Sequence, residues 1–366
     1  MGLIKDIYSA AFYNQFADTL QQVLPYFSKP KFLEQALGDG FHNMEWKERM
    51  KHTTRVVHHF MPSDFSEAAK LIEAIISRLK ENGAGEDGLV YIFFPDYIET
   101  YGLDDFESSA TAFAIITQFV SCEFAVRPFL LKYEGRMIEQ MVAWSGHSSS
   151  KVRRLASEGS RPRLPWAMAI PSLKRNPEPI LPILENLKND SSESVRRSVA
   201  NNLNDIAKDH PEVVISIAAK WRGQTKETDA IIKHGCRTLL KQGHTEILKH
   251  YGLDSEGLVL NDFSIETPVV KVGDNLEFSF SISNLNESSK TIRLEYGLYY
   301  KKSKGHLAKK VFKISEKTYA PNAVERVSRR QSFKIITTRV FHPGKHELTI
   351  IVNGDEREAL SFELEL

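Results

Sequence analysis

Two kinds of periodicity divide this chain, and the change between them falls near residue 255. Up to about residue 252, apolar residues recur at spacings of three and four, which is typical of amphipathic helices. The clearest helical periods run through residues 4–24, 46–60, 64–79, 105–124 and 135–144. No segment of this region alternates in the manner of a half-buried strand. The pattern predicts an all-helical domain over residues 1–252.

The helical region also contains an internal repeat. The triplet Val152-Arg153-Arg154 recurs as Val195-Arg196-Arg197, at an offset of 43 residues, and each copy follows a serine-rich turn. A proline introduces the next predicted helix in both copies, near Pro177 and at Pro211, and a degenerate third copy spans residues 229–243. Helical pairs of this length are typical of HEAT-like repeats, which stack into a superhelix with a concave binding face.

From Leu258 onward the pattern changes to a period of two residues, as in strands with one buried face. Alternating segments occupy residues 276–283, 291–300, 346–352 and 360–366, and turn signals rich in Gly, Asn, Asp and Pro lie between them. About seven short strands in this space predict an immunoglobulin-like β-sandwich over residues 258–366. The fold class is therefore α followed by β, a HEAT-like superhelix and then a sandwich.

Composition is that of an ordinary soluble protein, with 366 residues, 42% hydrophobic and 26% charged side chains and a net charge of +1. Two cysteines, Cys122 and Cys236, do not make a disulfide framework, so a cytoplasmic setting is expected. The most apolar stretch, residues 109–126, contains Gln118 and Glu123. It is expected to form a buried helix, and no membrane span is expected.

Charge is distributed unevenly within the predicted sandwich. Between Arg293 and Lys345, fourteen Lys or Arg residues face three glutamates, a local excess of +11. Solubilising lysines at strand edges are one explanation. An excess of this size in a near-neutral chain favours a surface that binds a polyanion.

The segment SKVRRLASEGSRPRLPW, residues 150–166, is the most basic part of the helical region. It carries five Lys or Arg residues and a single acid, Glu158. It begins as a helix behind a serine N-cap and is broken at Gly159 and Pro162. One carboxylate inside a basic cluster, next to Trp166, suits a site that binds a polyanion and acts on a cationic group. The alternative is a solvated helix face with an ion pair between Arg154 and Glu158.

Two further acids are candidates for the same site. Glu123 lies on the apolar row of its predicted helix, where a carboxylate requires either an ion-pair partner or a functional role. Arg127, one turn later, is a possible partner. Asp205 shares a row with Arg197 on the second repeat helix, and taken alone it is a surface acid. Stacked repeats would bring all three acids to one wall.

The segments RRLASEGSRPRLPW (residues 153–166) and SVRRSVANNLNDIAKDHPE (residues 194–212) resemble the DNA alkylation repair glycosylases built from HEAT-like repeats, and most closely their AlkC branch. The resemblance covers about residues 1–252, and an Ig-like C-terminal domain occurs in part of that branch. It implies a monofunctional DNA glycosylase that removes 3-methyladenine and 3-methylcytosine from duplex DNA in base excision repair. It also implies that the lesion is reached without full base flipping, unlike in most such enzymes.

The resemblance assigns roles to particular positions. Catalytic roles fall on Glu123, Glu158 and Asp205, with Trp166 as an aromatic wall. The basic residues expected to contact DNA are Lys151, Arg153, Arg154, Arg161, Arg163, Arg196, Arg197, Lys301, Lys302, Lys304, Arg329 and Arg330. The implied partner is double-stranded DNA with alkylated bases, the implied state is a monomer, and no metal or organic cofactor is implied.

Two other classes of protein remain open from the sequence. One is a nucleic-acid-binding scaffold of HEAT-like repeats without catalytic activity, and the other is a protein-interaction scaffold. The basic clusters disfavour the protein scaffold. Acids inside those clusters favour the enzyme over the pure binder, because carboxylates that face a phosphate backbone weaken binding.

Overall fold

The computed structural model describes residues 3–335 and 340–366, so Arg339 of the basic region lies outside the described residues. The chain packs into two compact units. The first comprises Met1–Val214 and Lys220–Gly235, and the second comprises Ile215–Ala219 and Cys236–Leu366. The last two helices therefore belong to the unit that contains the sandwich. The predicted boundary between residues 252 and 258 differs from this division.

Sixteen α-helices and eight strands make up the described part of the chain. The helices are α1 (Ala10–Val23), α2 (Lys29–Ala36), α3 (Trp46–His58), α4 (Phe65–Glu81), α5 (Phe93–Tyr101), α6 (Phe106–Ile116), α7 (Arg127–Tyr133), α8 (Gly135–Ser145), α9 (Ser150–Gly159), α10 (Pro171–Arg175), α11 (Leu181–Leu187), α12 (Glu193–Ile206), α13 (Pro211–Trp221), α14 (Lys226–Gly235), α15 (Arg237–Gln242) and α16 (Thr245–His250). Short 3-10 turns occupy Ile4–Ile7, Phe41–Asn43, Leu89–Tyr91 and Glu178–Ile180.

Helices α3, α4 and α8 confirm three of the predicted helical periods, and α1 confirms the period at residues 4–24 from Ala10 onward, after a 3-10 turn at Ile4–Ile7. The fifth prediction was wrong in its second half, because α6 ends at Ile116 and not at Phe124. The carbonyl of Phe119 accepts a hydrogen bond of 2.8 Å from the backbone amide of Asp87. A continuing helix would have used that carbonyl internally. Glu123 consequently lies in the loop between α6 and α7.

Helices α9, α12 and α14 are the corresponding helices of successive repeats, and they pack side by side. The first arginine of each repeated triplet has the same structural task. Arg153 donates to the carbonyls of His147 and Ser148, and Arg196 donates to those of Asp190 and Ser191. Each guanidinium thus braces the turn before its own helix, which explains why this arginine recurs.

The second unit contains a sandwich of two sheets. Its strands are β1 (Leu258–Ile265), β2 (Val269–Lys271), β3 (Asn275–Asn284), β4 (Lys290–Lys301), β5 (Leu307–Tyr319), β6 (Val324–Ser332), β7 (Gly344–Val352) and β8 (Asp355–Glu365). One sheet has the order β1-β3-β6 and the other has the order β2-β8-β7-β4-β5. All pairings are antiparallel except that of β2 with β8.

The inner faces of the two sheets form one apolar core. Phe278 and Phe280 of β3 pack with inward residues of the larger sheet such as Leu298, Ile350 and Phe362. Half of the basic residues between Arg293 and Lys345 lie on β5 and β6, which are edge strands of the two sheets. None of the described helices has the length and apolar character needed to cross a bilayer.

Candidate active site

The predicted site begins at the C-terminal end of α9, where Glu158 is buried and not solvated. Gly159 follows it at a point of close packing. A β-carbon at Gly159 would lie 2.7 Å from Cγ2 of Val126 and 3.1 Å from Cε of Met141. Only glycine lets the end of α9 approach these side chains so closely. The helix therefore ends there, as predicted, and the chain turns toward Arg161.

Arg161 joins two of the predicted catalytic acids. Its Nη1 donates to Oε1 of Glu158 at 2.6 Å, and its Nε donates to Oδ2 of Asp205 at 2.8 Å. Asp205 is only 1% exposed, and Lys208 donates to its other oxygen at 2.9 Å. Burial alone would lower the pKa of Arg161, but its hydrogen bonds and ion pairs with Asp205 and Glu158 outweigh burial and raise the pKa. The structure thus places Glu158 and Asp205 around one guanidinium.

A buried polar seam sets the register between the repeats that carry these acids. The side-chain amide of Asn202 on α12 donates to the carbonyl of Ser157 on α9 at 2.9 Å and to Oγ of Ser160 at 3.3 Å. Ser198 donates to the hydroxyl of Ser157 at 3.0 Å. Unpaired polar groups in such a seam are costly, so these bonds favour a single alignment of the two helices. Sequence reasoning missed the seam, although its residues flank the predicted core positions of α12.

Glu123, the third predicted acid, is half-buried and is held by an arginine of α9. Nη1 of Arg154 donates to its Oε2 at 2.7 Å, and the hydroxyl of Ser121 donates to the same oxygen at 2.5 Å. The proposed pairs of Arg127 with Glu123 and of Arg154 with Glu158 were therefore wrong. The prediction of an Arg127–Glu123 pair assumed that both residues lie on one helix. Glu123 lies instead on the loop after α6, where Arg154 of α9 donates to it.

Arg127 has a different task, which the sequence did not indicate. Its side chain is 0% exposed and donates to three backbone carbonyls, those of Gly159 at 3.0 Å, Arg161 at 2.9 Å and Met168 at 2.6 Å. Burial and then the nearby charge of Arg161 lower the pKa of Arg127 to about 10. Because it bonds both sides of the loop after α9, Arg127 fixes the segment that carries Arg161 and Trp166.

Trp166 is not packed against the acids. It is 94% exposed and adopts a φ of 65°, a left-handed conformation that is rare for a large side chain. Such strain is kept where surrounding structure imposes it and is frequent at functional sites. The structure therefore presents Trp166 to solvent as a protruding aromatic and does not make it a wall of an enclosed pocket.

The basic residues of the helical unit are mostly engaged by acids. Lys151 pairs with Glu86 and Asp87, Arg153 pairs with Asp190, and Arg163 pairs with Asp209. Arg197 forms an exposed pair with Glu193 on its own helix. Exposed pairs are weak and exchange easily for a phosphate, whereas Arg153 and Arg196 are tied to backbone carbonyls. Arg163 and Arg197 are consequently the best placed of these predicted DNA contacts.

In the sandwich, the predicted contacts lie in two groups on its surface. Lys301 is half-buried at the end of β4, and Lys302 and Lys304 are exposed in the turn to β5. Arg329 and Arg330 are exposed on β6, where Arg330 pairs with Glu277 at 2.9 Å.

The electrostatics of the site are set by its two buried carboxylates, Glu158 and Asp205. Two carboxylates at the ends of adjacent repeat helices are held in a low-dielectric setting, where they stabilise positive charge more strongly than in water. Hydrogen bonds from Arg161 and Lys208 fix the orientation of the two carboxylates, which are shielded from solvent. Within residues 3–335 and 340–366, no group of three His, Cys, Asp or Glu side chains is placed to hold a metal ion. Each carboxylate is already paired with a cation, Glu158 with Arg161 and Asp205 with both Arg161 and Lys208.

Comparison with known proteins agrees with both parts of the fold. A HEAT repeat model matches residues 180–210, and a model described as "Uncharacterised protein YhaZ, C-terminal Ig-like domain" matches residues 259–366. Over its full length the chain is 40% identical to the full length of a protein of Bacillus subtilis (strain 168) described as "Uncharacterized protein YhaZ".

A solved structure covers the same extent. The Pseudomonas fluorescens alkylpurine DNA glycosylase AlkC, bound to DNA containing an abasic site analog, superposes with a TM-score of 0.84. It is 35% identical, with 100% of each chain covered. The helical unit and the sandwich together define a protein of HEAT-like repeats with an Ig-like domain. The chain belongs to the AlkC family.

Proposed function

We propose that this protein is a DNA glycosylase of the alkylpurine type. The observation that carries the proposal is the pair of buried carboxylates, Glu158 and Asp205, held by one guanidinium in adjacent repeats. Membership of the AlkC family supports the same activity. The finer proposal is that the enzyme releases cationic N3-alkylated bases, 3-methyladenine and 3-methylcytosine, from duplex DNA in base excision repair without full base flipping.

The chemistry requires little beyond such a site. An N3-methylated base already carries a positive charge, so it leaves with the electron pair of the N-glycosyl bond without prior protonation. Positive charge then develops on the sugar as an oxocarbenium-like species, which Glu158 and Asp205 stabilise electrostatically. A water adds to C1′ and gives its proton to a carboxylate, which leaves an abasic site. No step needs a lysine nucleophile or strand cleavage.

The other residues have supporting tasks in this proposal. Glu123 holds Arg154 of α9 through an ion pair of 2.7 Å. Trp166, exposed on its fixed loop, is placed to contact the stacked bases or the gap beside a lesion. The basic residues of both units bind phosphates, and such contacts position the enzyme without reading sequence. The protein acts as a monomer without a metal or organic cofactor.

A nucleic-acid-binding scaffold without catalytic activity is the competing function. Its support is that Glu158 and Asp205 are both bound to arginine or lysine, as in networks that only stabilise a fold. One assay separates the two functions. Purified protein is incubated with methylated duplex DNA in the presence of a chelator, and free base and abasic sites are measured. Release of either 3-methyladenine or 3-methylcytosine supports the enzyme, whereas binding to DNA without any release favours the scaffold.

A further inference from the structure

One cavity in the sandwich has a lining rich in cationic side chains. It has a volume of about 210 Å³ and is bordered by β4, β5, β7 and residues 340–342. Four lysines and two histidines contribute to its lining, namely Lys301, Lys302, Lys309, Lys310, His342 and His346. No Asp or Glu is among the described residues that line it. The cavity is large enough for a phosphate group together with several waters.

Most of this positive charge is uncompensated. Lys309 pairs with Glu356, but Lys301, Lys302 and Lys310 form no ion pair within the described residues. Elsewhere on β5 the lysines do find acids, since Lys313 pairs with Glu316 and Lys317 pairs with Glu325. Lys301, Lys302 and Lys310 border one concave surface without an acid to compensate them, and uncompensated cations there favour a bound anion.

His346 provides a second and independent observation. It is 0% exposed, and its Nδ1 lies 2.8 Å from the carbonyl of Gly344, which can only accept, so Nδ1 carries a proton. Its Nε2 is buried without a hydrogen-bond partner among the described residues. An unpartnered buried nitrogen is costly in a folded protein. A ligand that enters the cavity beside this ring would supply the missing partner.

The charges around His346 indicate which ligand would do so. Burial lowers the pKa of His346, and Lys301 and His342 lower it further, whereas the carbonyl of Gly344 and Glu363 of β8 act to raise it. An anion in the cavity would offset the two cations, and the ring could then take up a proton and donate through Nε2. Lysines on an edge strand also prevent pairing between sheets, but that task does not account for a buried histidine without a partner.

We propose that this cavity is a phosphate-binding site for nucleic acid, which takes one phosphate group from the backbone or from a chain terminus. The inference deepens the proposed function by giving the sandwich a defined phosphate contact, yet it does not depend on base release. A protein that releases base and binds no phosphate here would contradict only this site. A protein that binds phosphate here and releases no base would contradict only the glycosylase.

The direct test uses the full chain with isotopically labelled histidine and inorganic phosphate as the probe. The ring signal of His346 is assigned by its absence from His346→Gln, and phosphate is titrated against chloride at matched ionic strength. We expect a saturable change of this signal with phosphate alone. An identical response to phosphate and chloride would overturn the proposal. If His346→Gln does not fold, the phosphate affinities of Lys310→Ala and wild type are compared, and equal affinities would also overturn it.

Variants and competitors then define the site and the source of the phosphate. Lys310→Ala should weaken phosphate binding several-fold, whereas Lys271→Ala, an exposed position on β2, removes one charge away from the cavity. Equal effects of the two would contradict a local site. Displacement of phosphate by an unphosphorylated duplex indicates a backbone phosphate, and displacement only by a 5′-phosphorylated duplex indicates a terminal one. Displacement by neither would overturn the assignment to nucleic acid.

Discussion

Nε of Arg161 donates a hydrogen bond of 2.8 Å to Oδ2 of Asp205, although 44 residues separate them in sequence. Both side chains are almost completely buried, so the bond joins the end of one repeat helix to the end of the next. Arg161 also holds Glu158, and each acid therefore contributes to the environment of the other. Substitutions at these positions should consequently change stability and turnover together, and the two effects have to be measured separately.

Glu158→Gln is expected to lower single-turnover base release by at least about a hundredfold, because it removes a charge that stabilises a cationic transition state. Affinity for DNA should hold or rise, since a negative charge is lost near the backbone. The measurements are the release rate at saturating enzyme and the affinity for undamaged duplex. Glu139→Gln, at an exposed position of α8, is the matched control. Wild-type rates in Glu158→Gln would leave only a structural ion pair.

Asp205→Asn is expected to impair release as well and to destabilise the fold more than Glu158→Gln. Asp205 accepts from both Arg161 and Lys208, and loss of one member of a buried ion pair costs about 3–5 kcal/mol. Thermal unfolding of both variants gives the comparison. Asp209→Asn, whose partner Arg163 is more exposed, should cost much less. A similar loss in Asp205→Asn and Asp209→Asn would contradict the buried network.

Arg127→Met is expected to reduce turnover more than DNA affinity, since Arg127 fixes the loop that aims Arg161 without touching DNA itself. Three bonds to backbone carbonyls are lost, so the melting temperature should also fall. Arg127→Lys, which retains a cation but cannot reach all three carbonyls, should recover part of the release rate. Arg136→Met, on the exposed surface of α8, controls for the loss of an arginine. Equal release rates in Arg127→Met and wild type would show that base release does not depend on the hydrogen bonds of Arg127 to the loop after α9.

The sequence predicts much of the fold but not the partners of the site residues. The change of period near residue 255, the repeated triplet and strands β3, β4, β7 and β8 were readable, because burial imposes periodicity on apolar positions. The partner of each acid was not readable. Spacing along one helix suggested Arg127 for Glu123, but α6 ends at Ile116, so Glu123 lies on a loop, where Arg154 donates to it. Contacts between repeats depend on packing, which a local pattern does not contain.

Replacement of Arg329 and Arg330 by alanine tests the sandwich as a DNA-binding unit without deleting it. Deletion is a poor test, because the second compact unit comprises Ile215–Ala219 and Cys236–Leu366, and a cut at residue 253 would divide it. Each lost phosphate contact should reduce the slope of log affinity against log salt by about 0.9. Affinity should fall equally on duplexes of different sequence. Unchanged affinity and slope, with Lys271→Ala as the control, would show that β6 does not touch DNA.

The stability of the helical unit is expected to depend on pH through Glu99, on α5. Burial and then the charge of Asp96 raise the pKa of Glu99 to about 7, against an opposing effect of Lys51. The folded state therefore binds more protons than the unfolded state between the ordinary pKa and about 7, and stability falls as pH rises through this window. Glu99→Gln should raise the melting temperature relative to wild type above about pH 7 and bring no such gain below the ordinary pKa.

Thermal unfolding of both proteins across this range measures the effect, and Glu73→Gln, at an exposed position of α4, controls for the loss of one charge. Glu99 lies apart from Glu158 and Asp205 in sequence and shares no hydrogen bond with them. Base release by Glu99→Gln at saturating enzyme is therefore expected to equal that of wild type. The difference in melting temperature between Glu99→Gln and wild type should grow as pH rises. A difference that stays constant with pH would mean that Glu99 binds protons alike in the folded and unfolded states, so that folding does not raise its pKa.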